Sequence, residues 1–367
     1  MVAQVSTTGK WVLSEPEDDL EVDFYPTTKP SVSVVAKVGG YRRRLGLNKT
    51  SLYFNGKQYQ KYASLCLMAA DSPSGKNKKL LNTCLTKLEN LLVPFLDNTL
   101  DPPLNYETSY GGLVSSQSFA VKDVNADFGN SVYNDHHYHY GYWVTASAML
   151  KSLHPKWKRM KELDRMIWMM LRDVANPSTD DAFFPRFRHF SFYLGHSYSH
   201  GVTPMLDGKD EESTSEDVNF YYGMKLWGQV SNNKAVEDLG SLMLLRAEPR
   251  DGYFLRQQGG VRDWFQRREV CDSRYPNDPR IANQRYGTHY KVHPARMGRY
   301  PLQGAHCDGI QHSNAWLSLL LVNEAAVDQE DALTKLQEAT MDDGLTRSWA
   351  LYNAASRPHN TKQAAIA

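Results

Sequence analysis

The sequence of 367 residues has few cysteines and no long hydrophobic run. Its four cysteines are scattered without a CxxC pair, so neither a zinc site nor a disulfide framework is predicted. Cys66 and Cys84 lie among apolar residues at helical spacing and are expected to be buried free thiols. No stretch approaches the roughly 20 apolar residues of a transmembrane helix, and no secretory signal is visible. We therefore expect a protein without a membrane span.

The sequence also lacks an excess of charge of either sign. Its 42 lysines and arginines nearly cancel its 41 aspartates and glutamates. This balance gives no electrostatic reason to bind nucleic acid, so we expect a neutral partner instead. A phosphate-binding loop, a dinucleotide glycine pattern and a GxSxG elbow are absent as well, which argues against nucleotide-dependent enzymes and serine hydrolases of that type.

The hydrophobic pattern is mainly helical and predicts a mainly α fold. Long polar loops alternate with the helices, as in a barrel of helical hairpins whose loops converge on a cleft. Alternating apolar residues within 1–50 favour a short N-terminal β segment, and 249–312 have no sustained period and are expected to be irregular in part. Pro94 should end the second helix. Helices are predicted over 52–96 (two helices joined by a polar turn), 142–153, 157–174, 213–230, 234–246, 314–326 and 331–339.

The densest group of polar and aromatic residues is DFGNSVYNDHHYHYGY at 127–142, which holds two carboxylates, three histidines and four tyrosines. Three interpretations compete. A metal site would use the histidines, but the adjacent His136 and His137 should point apart. A polar network beneath a cleft would let the rings satisfy one another. Acid catalysis would use Asp135, because burial among rings disfavours its charged form and a proton donor must keep its proton.

A second group, EESTSEDVN at 211–219, places Glu212 and Glu216 on one face of a predicted helix, about 5–6 Å apart at Cβ. A proton donor needs a partner, and glycoside hydrolysis uses two carboxyl groups across the scissile bond. The alternative is an exposed helix start, with Ser213 or Ser215 as N-cap and acidic residues favoured by the helix dipole.

Both groups, together with DDGLTRSWALYNAASRP at 342–358, resemble glycoside hydrolase family 81, the endo-β-1,3-glucanases. The likeness is to the plant members in particular, which include glucan elicitor-binding proteins. The resemblance implies an inverting hydrolase with an (α/α)6 barrel that follows a β-sandwich and a smaller linking domain. It also implies a β-1,3-glucan substrate, no cofactor, no metal and a secreted or cell-wall location.

The resemblance also assigns roles to individual residues. Asp135 would be the general acid and Glu216 the general base, while Glu212 would position the water or the sugar. Five further residues would line the cleft through hydrogen bonds or stacking on glucosyl units: Asp127, Tyr133, His137, His139 and His196.

The chain departs from the family in its length and in its third quarter. Full-length members are longer, so residues 1–50 are expected to be a remnant of the preceding region and 51–367 a helical barrel domain that looks incomplete. Residues 249–312 resemble no part of the family. Two alternatives to an active glucanase follow: a catalytically impaired β-glucan-binding protein, or a chain that does not fold stably. The oligomeric state is not predicted.

Overall fold

A computed structural model describes most of the helical region of the chain. The described residues are 2–5, 11–14, 23–26, 30, 47, 50–71, 78–203, 211–257, 316–325, 328–341 and 346–357. The helices are α1 Leu52–Ala70, α2 Lys78–Leu96, α3 Gln117–Val121, α4 His136–Leu153, α5 Met160–Ala175, α6 Thr214–Val230, α7 Lys234–Gln257, α8 Trp316–Glu324, α9 Gln329–Lys335 and α10 Arg347–Ala355, with a 3₁₀ segment at Ala126–Val132.

The strands of the described residues form three separate antiparallel pairs. They are β1 Val2–Val5 with β2 Trp11–Ser14, β3 Leu104–Glu107 with β4 Gly112–Ser115, and β5 Phe190–Ser191 with β6 His196–Ser197. The predicted strand within SVSVVAKV lies outside the described residues, as do 258–315. A mainly α fold with a short N-terminal β segment is confirmed.

The helices form consecutive hairpins, in which α1, α4 and α6 pair with α2, α5 and α7. Helix α4 packs between α1 and α6, and the three run parallel. Tyr142 near the start of α4 hydrogen-bonds Glu216 near the start of α6, and Lys151 lies 4.7 Å from the ring of Trp227 near the ends of the same helices. Because the outer helix of each hairpin returns the chain, the three inner helices begin at the same end of the molecule.

Close packing of α4 on α6 depends on two glycines. A Cβ on Gly141 would lie 3.1 Å from the backbone of Phe220, and a Cβ on Gly223 would lie 2.2 Å from Oγ1 of Thr145. Side chains larger than hydrogen would therefore hold the two helices apart. On its other side, α4 is joined to α1 by Trp143, whose ring nitrogen donates to the Leu52 carbonyl at 3.1 Å.

The predicted free thiols of Cys66 and Cys84 are wrong, since the two residues form a disulfide. Their Cα atoms lie 5.6 Å apart on α1 and α2. Each cysteine faces the neighbouring helix of the same antiparallel hairpin. Spacing along the chain carries no sign of this pairing, because only the docking of the two helices decides which residues meet.

Several helix boundaries differ from those predicted. Pro94 lies inside α2, which continues to Leu96, because a proline in the last turn removes only one backbone donor. Helix α4 begins at His136 rather than at Tyr142, and α7 continues through Pro249 to Gln257.

A second, smaller core joins α8, α9 and α10 around Leu321, Leu336 and Leu351. The Tyr352 hydroxyl donates to a carboxylate oxygen of Asp71, which ties α10 to the end of α1. Among the described helices, none combines the length and the hydropathy that crossing a bilayer requires.

Candidate active site

The predicted catalytic residues lie where the three inner helices begin. Asp135 is the N-cap residue of α4, and Glu216 stands in the first turn of α6. The start of α1, capped by Ser51, contributes Tyr53. Unpaired backbone N–H groups and the positive end of the helix dipole make such an end favourable for carboxylates and for oxygen-rich ligands.

Glu216 is held by two phenols from the neighbouring helices. Its Oε1 accepts hydrogen bonds from Tyr53 at 2.7 Å and from Tyr142 at 2.6 Å. Lys57 donates to the Tyr53 hydroxyl at 3.2 Å, and its ammonium also lies 5.0 Å from the Tyr53 ring centroid. The carboxylate is half-buried and its orientation is fixed by groups from α1 and α4.

Asp135 occupies a left-handed backbone conformation with φ 59° and ψ 19°. This conformation costs a non-glycine residue of the order of 1–3 kcal/mol and is common at functional sites. Its side chain does not cap its own helix. Its N–H donates to the Ser199 carbonyl at 2.8 Å, and the neighbouring Asn134 accepts from the Gly201 N–H at 2.9 Å. The strained turn is thus bound to the loop around residue 200.

The same loop also holds the segment that carries Glu212. The Glu212 N–H donates to Ser199 Oγ at 2.8 Å, and the Ser213 N–H donates to the Tyr138 hydroxyl at 3.0 Å. Tyr138 Oη and Ser199 Oγ lie 2.9 Å apart and close the network. The structure therefore brings together the segments of Asp135, Glu212 and Glu216, and the Glu212 side chain is exposed.

A fully buried pair, His137 and Asp217, lies directly behind these segments. His137 Nε2 is 2.9 Å from Asp217 Oδ1. Asp217 Oδ2 accepts from the Ser197 N–H at 3.0 Å and from the Tyr221 hydroxyl at 2.9 Å. Burial raises the pKa of Asp217 to about 7 and lowers the pKa of His137 to about 3, because removal from water disfavours the charged form of each.

His136 and His137 point apart, as predicted for neighbours on a helix. His136 Nδ1 lies 2.8 Å from Asp173 Oδ1, and its Nε2 lies 2.8 Å from the Asn130 carbonyl. Within the described ranges, no group of three or more His, Cys, Asp or Glu side chains is arranged to hold a metal ion. The contacts of His136 belong to a polar network beneath the surface, one of the three interpretations of the sequence.

Two of the predicted cleft residues have internal partners. Asp127 is buried and accepts hydrogen bonds at the start of α1, from the Leu52 N–H at 2.8 Å and from the Ser51 hydroxyl. Tyr133 is buried, donates to Glu107 at 2.7 Å and lies 4.1 Å below the guanidinium of Arg188. Both side chains are thus engaged within the protein, and their predicted contact with a sugar stays a prediction.

The three other predicted cleft residues, His137, His139 and His196, are buried as well. The His139 ring lies 5.0 Å from the ring of Tyr53, and His196 Nδ1 is 2.9 Å from the Ser197 carbonyl. Their predicted contact with a sugar stays a prediction. An effect of His139 on a ligand would pass through neighbours such as the half-buried Tyr53.

Sequence reasoning missed the aromatic residues at the start of α1 and in the 3₁₀ segment. Tyr53 and Lys57 read as ordinary helix positions, and Phe54 and Phe128 carried no distinguishing signal except that Phe128 lies inside the dense 127–142 stretch. Only the packing of α1 and α6 on the two sides of α4 places Tyr53 against Glu216.

Comparison with known proteins identifies what the chain resembles. Residues 42–271 match the model of the glycosyl hydrolase family 81 C-terminal domain, so the expectation that 249–312 resemble no part of the family is wrong for 249–271. A Schizosaccharomyces pombe primary septum glucan endo-1,3-beta-D-glucosidase is 32% identical over 89% of this chain and 35% of its own length. An Arthroderma benhamiae glucan endo-1,3-beta-D-glucosidase is 30% identical over 96% of this chain and 43% of its own length. The chain thus spans less than half the length of these relatives.

Two further similarities bear on the predictions. A Glycine max glucan endo-1,3-beta-D-glucosidase is 31% identical over 59% of this chain and 32% of its own length, so the plant-type likeness stays a prediction. A solved glycoside hydrolase family 81 structure from Clostridium thermocellum superposes with a TM-score of 0.60 at 19% identity, over 90% of this chain and 48% of that one. At this identity the structural likeness shows the fold, an α/α barrel, and no more.

Proposed function

We propose that this chain, which belongs to glycoside hydrolase family 81, hydrolyses internal β-1,3-glucosidic bonds of β-1,3-glucans with inversion at the anomeric carbon. The observation that carries the proposal is the fixed carboxylate of Glu216, which lies at the same end of three parallel helices as the strained turn of Asp135. The names of the curated relatives support the substrate class.

In the proposed mechanism, Asp135 gives its proton to the glycosidic oxygen while the bond from that oxygen to C1 breaks. Glu216 takes a proton from a water whose oxygen attacks C1 from the opposite face of the sugar. One proton is given and one is taken, and exchange with solvent restores both carboxyl groups. Inversion needs the two groups about 6.5–9.5 Å apart, with room for the water between them.

The contacts of Glu216 favour its role as the base. Two phenols hold one of its oxygens, so the carboxylate keeps one orientation when the water arrives. Glu212 lies four residues earlier at the entry to the same helix and is exposed, which suits a role in positioning the water or a sugar hydroxyl.

The predicted cleft residues that are buried would act on the substrate indirectly, by holding other residues in place. Asp127 and Tyr133 stabilise the segment before Asp135, and His137 pairs with Asp217 beneath both carboxylates. We assign these residues to positioning the site rather than to touching the sugar.

The two carboxylates are tested by the variants Asp135→Asn and Glu216→Gln on soluble β-1,3-glucan. We expect each variant to lose at least a factor of about 100 in kcat, because each removes a proton-transfer step, with the thermal unfolding curve retained. Release of reducing ends measures turnover, and NMR of the first product gives its anomeric form.

Glu330→Gln is the matched control, because Glu330 lies exposed in the first turn of α9 and should leave turnover unchanged. Full turnover in either test variant, or a first product that retains the anomeric configuration, contradicts the mechanism. Binding of glucan without any hydrolysis by the unmodified chain would favour the impaired binding protein instead.

We also propose that the chain acts in an oxidising compartment, such as the cell exterior or wall. The support is the Cys66–Cys84 disulfide, since such bonds persist where thiols are not kept reduced.

A further inference from the structure

Two phenylalanine rings that face solvent contact Tyr53, the residue that donates to the carboxylate of Glu216. Phe54 in the first turn of α1 is 39% exposed, and Phe128 in the 3₁₀ segment is 51% exposed. Their ring centroids lie 5.9 Å apart, with an angle of 62° between the planes. Single exposed apolar side chains are common, but two adjoining phenyl rings next to a polar site indicate a surface that a ligand covers.

Tyr53 joins both rings to the proposed base. Its ring lies 5.1 Å from Phe54 and 5.2 Å from Phe128, and its hydroxyl donates to Glu216 at 2.7 Å. The exposed pair and the carboxylate are therefore separated by a single side chain. A ligand that covers the two rings would extend over the reacting position.

The backbone that presents Phe128 is strained. Asp127, Phe128 and Gly129 have φ of 51°, 60° and 78°, three left-handed residues in succession, of which only one is glycine. Such conformations persist only where the surroundings enforce them, and they cluster at binding and catalytic sites.

The enforcing contacts come from the helix that carries Phe54. The carboxylate of Asp127 accepts from the Leu52 N–H at 2.8 Å and from the Ser51 hydroxyl, so the turn is pinned to the start of α1. Because these hydrogen bonds hold the turn against α1, the Phe128 ring lies next to Phe54 and remains exposed. The strain thus serves to expose an apolar ring, which stability alone would not favour.

We propose that Phe54 and Phe128 form an aromatic platform that binds a glucosyl ring of the β-1,3-glucan next to the bond that is cleaved. One face of a pyranose ring consists largely of C–H groups, which pack on the face of an aromatic ring. The angled pair offers one ring face for stacking and the second ring as a side wall. The proposal rests on the proposed function and assigns to it a sugar-binding subsite.

The test compares Phe128→Ala with Phe119→Ala in the full chain. Phe119 lies on α3, is 63% exposed and has no ring contact with the platform among the aromatic pairs that the structure describes, so it controls for loss of an exposed phenyl ring. Kinetics on β-1,3-linked gluco-oligosaccharides of increasing length give KM and kcat. Calorimetry in the Glu216→Gln background gives Kd without turnover.

We expect Phe128→Ala to raise KM and Kd about tenfold on the longer oligosaccharides, with kcat nearly unchanged. The effect should persist on the shortest oligosaccharide that is cleaved, because the sugar next to the cleaved bond already lies on the platform. Phe128→Trp should restore affinity, whereas Phe119→Ala should behave as the unmodified chain.

Phe54→Ala removes the other ring of the platform, and it should raise KM and Kd in the same way. Because Phe54 lies in a regular helix, this variant tests the platform even if the strained turn at Phe128 does not tolerate substitution. If oligosaccharide affinity in both Phe54→Ala and Phe128→Ala equals that of Phe119→Ala, the platform is excluded while the glucanase proposal stands. If the unmodified chain neither binds nor cleaves β-1,3-glucan, both proposals fall together.

Discussion

At the scale of single residues, the site depends on side chains that fix carboxylates rather than on the carboxylates alone. Glu216 receives hydrogen bonds from one tyrosine on α1 and one on α4. A hydrogen bond to a charged group contributes roughly 1.5–3 kcal/mol, so loss of either phenol should be measurable in catalysis.

Tyr142→Phe removes one of the two phenol hydrogen bonds and keeps the ring. We expect kcat on β-1,3-glucan to fall about 10- to 100-fold, with a smaller change in KM, because the base loses its fixed orientation. Steady-state kinetics measure both constants.

Tyr193→Phe is the matched control, since Tyr193 is 92% exposed. Equal kcat values in Tyr142→Phe and Tyr193→Phe would show that the hydrogen bond to Glu216 does not matter for the reaction.

The buried Asp217 makes stability depend on pH in a defined direction. Its pKa in the folded protein is about 7, above its ordinary value of 3.8, so between these values the folded state holds a proton that the unfolded chain has released. The contribution of Asp217 to the free energy of unfolding is therefore fully present below pH 3.8, and it is lost as the pH rises through about 7. His137, whose pKa is lowered to about 3, contributes the opposite slope, so only a comparison of variants isolates Asp217.

Asp217→Asn should gain stability relative to the unmodified chain as pH rises from about 4 to about 8, because asparagine resembles the protonated carboxyl and stays neutral. Urea unfolding at both pH values measures the difference in free energy. Asp123→Asn, at an exposed turn, is the control and should show no such trend. A pH-independent difference for Asp217→Asn would contradict the raised pKa.

At the scale of elements, the first hairpin is closed covalently. The disulfide joins α1 and α2 across a sequence separation of 18 residues. A crosslink of this loop length restricts the unfolded chain and typically contributes about 3 kcal/mol.

Reduction of this bond should lower the free energy of unfolding by about 3 kcal/mol. Denaturant titrations with and without reductant measure the change, and a Cys66→Ser/Cys84→Ser chain should not respond to reductant. Protein isolated from its natural source can be treated with an alkylating reagent before any reductant is added. Cysteines that are disulfide-bonded in that source will then remain unmodified. Modification of both cysteines without reductant would contradict the bond and the oxidising compartment together.

At the scale of the whole molecule, the parallel arrangement of α1, α4 and α6 creates the site. Each inner helix is followed by an outer helix that returns the chain, so residues from three distant segments meet at one end. Asp135 and Glu216 are 81 positions apart in the numbering, yet both stand at that end. The division into a remnant at 1–50 and a barrel domain at 51–367 stays a prediction.

The sequence by itself determined the mainly helical fold, because apolar residues at intervals of three and four leave few other ways to bury a core. It also carried the motifs around Asp135 and Glu216, since rare residue types were crowded into two short stretches. Only the tertiary structure decided the Cys66–Cys84 bond, the hydrogen bond from Tyr53 to Glu216 and the burial of His137 and His139. Each of these depends on which helix faces meet, and that is settled by the packing of several helices at once rather than by the local pattern of any one.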